Sequence, residues 1–207
     1  MVSKEKSHEL ASHGFSHMLL QADLITESEF LREMELIKFV SKLKGKEFKT
    51  FIYPRNMTGY INQLKNSGFI GYRGMPKQFP KPISKINNLL TELNIYDRAQ
   101  QPTFESRPTL PICIPSGHFL NWRTGLRKSI PITISIKKYT HIIQDAIKNN
   151  RVLHLWTHPH NFVTGDLMFT LLDKILAQVG SAVKRGDMIN YTQKEYAEHI
   201  LAKKHSC

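Results

Sequence analysis

Strand-like and helical segments alternate along this 207-residue chain. The strand-like runs are 48–53, 69–73, 110–114, 132–136 and 151–157. The segments with helical spacing are 26–45, 62–67, 83–93, 137–149 and 166–184, and a last helix opens at Thr192. Because such alternation is typical of parallel sheets with crossover helices, we predict an α/β fold, formed as a single domain over residues 1–207.

Capping signals mark the ends of two of these helices. Thr26 and Glu29 have the spacing of a capping box, as do Thr192 and Glu195. Gly45 follows the last apolar position of the first helix, where a glycine is favoured as a stop signal. We therefore expect the first helix to run from Thr26 to Gly45.

The charge balance favours anionic partners. The formal net charge is +12 and the isoelectric point is about 9.7. The lysines are scattered, however, and no run of five basic residues occurs, so a solvated basic surface is expected and nucleic acid is not an expected partner. No apolar stretch is long enough to span a membrane. The start of the chain, MVSKEKSHEL, lacks the apolar core of a signal peptide, which predicts a cytoplasmic location for the chain as written, although a longer form could be exported.

The first chemical motif is ELASHGFSH, which contains His13 and His17. On a helical turn, this spacing places both imidazoles on one face, where they could share a metal ion. The alternative is a pair of surface histidines near the start of a helix.

Two further motifs follow strand-like runs. In FIYPRN, Pro54 ends the strand and Arg55 follows at its edge, where an arginine can hold a substrate oxygen. In LHLWTHPHNF, the strand delivers His158 directly before a proline turn. The neighbouring polar and aromatic residues at these strand ends are candidate substrate-binding residues: Tyr53, Asn56, Trp156 and His160.

Taken in this order, the three motifs resemble those of the polysaccharide deacetylases of the NodB-homology family. The resemblance implies a distorted (β/α) barrel, a divalent metal such as zinc, and a substrate that is an N-acetylated polysaccharide or glycan. It implies that His13 and His17 are metal ligands, that the backbone N–H of Arg55 holds the oxyanion, and that His158 protonates the leaving amine. Gly14 stands where the family usually has serine or threonine.

The family begins with a strand that ends in two aspartates, and this chain starts just before the histidine motif. We therefore expect an incomplete barrel that lacks at least the first strand, and an impaired activity. Three alternatives stay open at this point. The chain could be a truncated form of an active deacetylase, a non-catalytic remnant that binds a glycan or a partner subunit, or a basic nucleic-acid-binding protein.

Overall fold

A computed structural model of the chain describes residues 8–75, 90, 92–101 and 109–203. The helices bounded within this part are α1 Glu27–Lys44, α2 Ile61–Asn66, α3 Ile132–Lys148, α4 Asp166–Arg185 and α5 Gln193–Ala202. The strands are β1 Thr50–Phe51, β2 Gly71–Arg73, β3 Ile112–Ile114, β4 His118–Phe119 and β5 Leu155–Trp156. Short 3₁₀ turns span Pro54–Asn56, Gly125–Ser129 and Pro159–Thr164.

The chain forms two compact units that are interleaved in sequence. Unit 1 consists of Met1–Pro76, Thr103–Ser116 and Tyr191–Cys207, and unit 2 consists of Lys77–Pro102 and Gly117–Asn190. Both units combine helices with parallel strands, which confirms a mixed α/β composition. The described strands form one three-stranded and one two-stranded sheet, and they do not close into a barrel.

The sheet of unit 1 is parallel, in the order β1-β2-β3. An isolated parallel bridge joins Ser12 to Phe51, so the segment before the histidine motif lies beside β1. Two backbone hydrogen bonds hold it there, from Ser12 N to Thr50 O and from Ile52 N to Ser12 O. The histidine motif thus leaves the edge of the sheet at a defined place.

The apolar side chains of α1 and the strand residues beside it form the core of unit 1. The fully or almost fully buried members are Leu20, Phe30, Met34, Ile37, Phe51, Tyr53, Leu64 and Phe69. Both predicted capping boxes are present, and Gly45 ends α1 in a left-handed conformation with a φ of 58°. Where α5 lies against β2, a Cβ on Gly71 would come within 3.2 Å of Ala197 Cβ, so the small residue permits the close packing.

Unit 2 is built on the packing of α3 against α4, beside the parallel pair β4-β5. Its buried core residues are Ala99, Leu120, Tyr139, Ile142, Ile143, Ala146, Met168, Leu171 and Ile175. An antiparallel bridge between Gln100 and Val152 adds a further backbone connection.

Two predicted elements are wrong, and one lies mostly outside the described residues. The strand predicted at 132–136 is the first part of α3, and the helical turn predicted for His13–His17 is a non-helical bend. Strand β4 was not predicted. The helix expected at 83–93 falls largely outside the part of the chain that the structure describes. No described helix is long and apolar enough to cross a membrane.

Candidate functional site

The two histidines of the first motif lie close together in unit 1. Their ring centroids are 4.9 Å apart and the ring planes are inclined by 80°. Both side chains are exposed. The chain achieves this through a tight bend rather than a helical turn, because Gly14 and His17 have φ values of 86° and 61°. We call residues 13–17 the histidine loop.

A hydrogen bond fixes the orientation of the His13 ring. Its Nδ1 atom lies 2.7 Å from the carbonyl oxygen of Ile52. A carbonyl oxygen only accepts hydrogen bonds, so Nδ1 carries the hydrogen, and in the neutral ring the lone pair is on Nε2. Metal-binding histidines commonly show this arrangement, in which one ring nitrogen donates to a carbonyl and the other coordinates the metal. Imidazole nitrogens are common zinc ligands, and two of them form only part of the ligand set that a zinc site requires.

A buried carboxylate supports the loop between the two histidines. Glu33, on α1, is only 4% exposed. Its Oε2 atom accepts hydrogen bonds from the backbone N–H groups of Phe15 at 2.9 Å and Ser16 at 3.1 Å. Glu33 was not predicted as a site residue, because nothing in its spacing from the histidines indicates a contact.

The turn Pro54–Asn56 adjoins the histidine loop. A Cβ built on Gly14 would lie 3.7 Å from Pro54 Cγ, in ordinary contact. Arg55 is exposed and has a left-handed backbone, with φ 53° and ψ 19°. Unit 1 thus places the rings of His13 and His17 side by side, and Arg55 belongs to the turn that adjoins their loop.

Hydrogen bonds of the Tyr53 and Asn56 side chains stabilise this turn. Tyr53 has no exposed surface, its hydroxyl donates to the Gly59 carbonyl at 2.7 Å, and burial beside Tyr72 raises its pKa far above the usual range. Asn56 Oδ1 accepts from Arg73 Nε at 2.9 Å and Nη2 at 2.6 Å. Burial lowers the pKa of Arg73 to about 10. A side chain without exposed surface does not touch a ligand in this conformation, so the substrate contact expected for Tyr53 does not fit its position.

Unit 2 carries the third motif as part of an aromatic cluster. We define this cluster as Phe119, Trp122, Trp156, His158 and His160. Each ring of the cluster contacts at least one other ring. The closest pair is Phe119 and Trp156, with ring centroids 4.3 Å apart. The rings of His158 and His160 are stacked, with centroids 5.0 Å apart and planes inclined by 12°. Trp122 contacts His160 at 5.6 Å and is itself 39% exposed.

The local sequence explains how the cluster forms. Phe119 and Trp156 are register partners of β4 and β5, so their side chains lie on the same face. His158 lies two residues after the end of β5 and directly precedes the 3₁₀ turn that begins at Pro159, as the proline after the strand predicted. Both histidines are exposed, whereas Trp156 is half-buried. A shallow pocket beside Trp122 is also lined by Glu92, Asn121 and Arg127.

A second group of ionisable residues in unit 2 was not predicted. Asp97 Oδ2 lies 3.5 Å from His118 Nδ1 and 3.6 Å from the buried Lys138 Nζ. Burial alone would raise the pKa of Asp97, but the hydrogen bond from His118 and the charge of Lys138 outweigh it and leave the pKa lowered. These residues are far apart in sequence, and no spacing rule connects them.

Comparison of the chain with protein-family models, curated proteins and solved structures finds no match. Among the described residues, no group of three or more histidine, cysteine, aspartate or glutamate side chains is arranged to hold a metal. The predicted ligands His13 and His17 thus form a pair without a third side chain of these types among the described residues.

Proposed function

We propose that this chain is a metal-dependent hydrolase that removes N-acetyl groups from the amino sugars of a surface or cell-wall polysaccharide. The proposal includes a fold of the (β/α)-barrel type, which the resemblance implies. The observation that carries it is the paired geometry of His13 and His17, with the His13 ring already oriented by the Ile52 carbonyl. A hydrogen bond to the other ring nitrogen also raises the basicity of a ligating histidine.

The chain's own residues have defined parts in this proposal. His13 and His17 bind the ion, which when present supplies an activated water and polarises the acetamide carbonyl. The exposed Arg55 adjoins the histidine loop, and its backbone N–H is the proposed donor to the oxyanion. The proton that the leaving amine requires is assigned to His158, whose ring is exposed in unit 2.

Zinc binding and acetate release test the proposal together. We expect the purified chain to bind zinc and to release acetate slowly from N-acetylated oligosaccharides. The rate should lie about 10²–10⁴-fold below that of an enzyme with a positioned base, because no such base is identified. His13→Ala should abolish both signals. If zinc binding and acetate release are the same in the wild type and in His13→Ala, the proposal is wrong.

The aromatic cluster favours a second candidate, a glycan-binding protein without catalysis. Exposed aromatic rings stack on the apolar faces of sugars, and Trp122 is 39% exposed beside the ring of His160. We expect Trp122→Ala to weaken oligosaccharide binding measured by calorimetry and His13→Ala to leave it unchanged. Binding without any zinc-dependent acetate release would favour this candidate over the hydrolase.

A further inference from the structure

We infer that Glu33 is a positioning residue for the histidine pair, and that its buried carboxylate sets the geometry of the loop that presents both imidazoles to a metal ion. This inference rests on the proposed metal site. It assigns to Glu33 a part that follows neither from the spacing of the motif nor from the resemblance.

The contacts of Glu33 fall between the two candidate ligands. A single carboxylate oxygen accepts from the backbone N–H groups of both Phe15 and Ser16. The same oxygen is 3.7 Å from the position that a Cβ on Gly14 would occupy. The carboxylate therefore lies against the backbone of three consecutive residues of the histidine loop.

Glu33 constrains the middle of the loop because the residues there contribute polar backbone N–H groups and little side-chain packing. Phe15 is 52% exposed, so its side chain contributes little packing. Hydrogen bonds to an ionised acceptor are about twice as strong as those between neutral groups. A glutamine in place of Glu33 keeps one oxygen acceptor, but it lacks the charge that strengthens both bonds and adds an NH2 group. Glu33 thus constrains the middle of this loop, where Phe15 and Ser16 donate to its carboxylate.

Other contacts fix the start of the loop. Ser12 is bonded to the sheet through Thr50 and Ile52, and His13 Nδ1 binds the Ile52 carbonyl. No equivalent bond is described for the His17 ring, whose position depends on the path of the chain from Gly14 to Ser16. Loss of the Glu33 contacts should therefore displace His17 relative to His13 and weaken a site that needs both.

The test compares Glu33→Gln with Glu35→Gln. Both substitutions remove one negative charge from α1, but Glu35 is exposed and has no described contact with the loop. We expect Glu33→Gln to raise the Kd for zinc by about 10- to 100-fold, the usual effect of losing a residue that supports metal ligands. Glu35→Gln should leave the Kd within about twofold. The Kd is measured by competition with a chromophoric chelator, and circular dichroism monitors the fold.

A second measurement on the metal-free wild type keeps the inference testable if Glu33→Gln does not fold. The amide hydrogens of Phe15 and Ser16 should exchange slowly with solvent in NMR spectra, because both are bonded to a buried carboxylate. Fast exchange at both amides, or an unchanged zinc Kd in a folded Glu33→Gln protein, would overturn the inference. Failure of the wild type to bind zinc would instead overturn the proposed function, while the two amides would still report whether Glu33 holds the loop.

Discussion

Several non-glycine residues around the histidine loop have left-handed backbone conformations. The φ values are 61° for His17, 53° for Arg55 and 57° for Asn56. Such conformations cost about 1–2 kcal/mol each for residues with a side chain, and they persist only where surrounding contacts enforce them. Their concentration beside the histidine pair indicates that this part of unit 1 is held in a geometry that the free chain would not prefer.

Substitution of Gly14 by alanine tests how much of this backbone geometry depends on a glycine. Its φ is 86°, and a Cβ there would meet its nearest neighbours at 3.7 Å, so an alanine fits sterically. We expect Gly14→Ala to lower the free energy of unfolding by about 1–2 kcal/mol, through backbone strain alone. The variant should also bind zinc more weakly, because the bend between the two histidines relaxes. Urea unfolding and chelator competition measure the two effects.

Gly45 is the matched control for this substitution. It has a φ of 58°, and no atom lies within 4 Å of the position of its Cβ. Gly45→Ala should therefore show a similar loss of stability and an unchanged zinc Kd. Equal zinc affinities in the two variants would show that the bend at Gly14 does not affect zinc binding.

Asp97 provides a prediction on pH dependence. Because its folded-state pKa is lowered, the stability it contributes is fully present above the unfolded-state pKa and is lost as the pH falls through the folded-state pKa. We expect Asp97→Asn to be less stable than the wild type at about pH 7, and the difference to shrink below about pH 4. Urea unfolding across this range measures it. A difference that persists unchanged below pH 3 would contradict the proposed contacts with His118 and Lys138.

At the scale of secondary-structure elements, local patterns predicted the ends of α1 and the places of β1, β2, β3 and β5, but they missed β4 and the start of α3. Thr26, Glu29 and Gly45 act through contacts within a few residues, so the sequence around them determines α1. The run from Ile132 to Ile136 alternates apolar and polar residues as a strand does, yet it is helical. There the packing of α3 against α4, which local sequence does not reveal, outweighs the preference of β-branched residues for strands.

The same contrast holds for the candidate site. The pairing of His13 and His17 could be predicted from spacing, but the helical turn proposed to explain it is wrong. The true cause is a bend that Glu33 supports from a different element. Likewise, Asp97 and Lys138 meet only through the tertiary structure of unit 2. Contacts between distant elements were therefore the part of the site that sequence patterns could not supply.

The packing of α3 gives a prediction about unit 2. Ile142 has no exposed surface and belongs to the core formed with α4. Ile142→Ala should lower the free energy of unfolding by about 2–5 kcal/mol, because it removes buried methyl groups and leaves a cavity. Leu126→Ala is the control, since Leu126 is 76% exposed and its truncation should change stability by less than about 0.5 kcal/mol. Similar losses in both variants would contradict the core as described.

At the scale of the whole molecule, the chain passes between its two units at positions that composition does not mark clearly. The chain passes from one unit to the other near Pro76, Pro102, Ser116 and Asn190. Proline-containing stretches accompany the first two passages, but they are short and lack the length and composition of a linker. An interleaved arrangement of this kind depends on long-range contacts, which the spacing of residues along the chain does not reveal.

The net charge of +12 leads to the last prediction, which concerns the choice of ligand. A basic protein should bind an acidic N-acetylated oligosaccharide more tightly than a neutral one of the same length. This preference should decrease as salt is added, because the screening length falls from about 30 Å at 0.01 M to about 3 Å at 1 M ionic strength. We expect the ratio of the two Kd values to approach one at high salt. Trp122→Ala should weaken the binding of both oligosaccharides about equally and leave the ratio of their Kd values unchanged, since stacking on an aromatic ring does not depend on the sugar's charge.

Duplex DNA should compete weakly with the oligosaccharides, because the lysines are scattered rather than clustered in sequence. If DNA displaces the oligosaccharides and its affinity falls steeply with salt, as expected when many phosphates are neutralised, the basic surface serves nucleic acid instead.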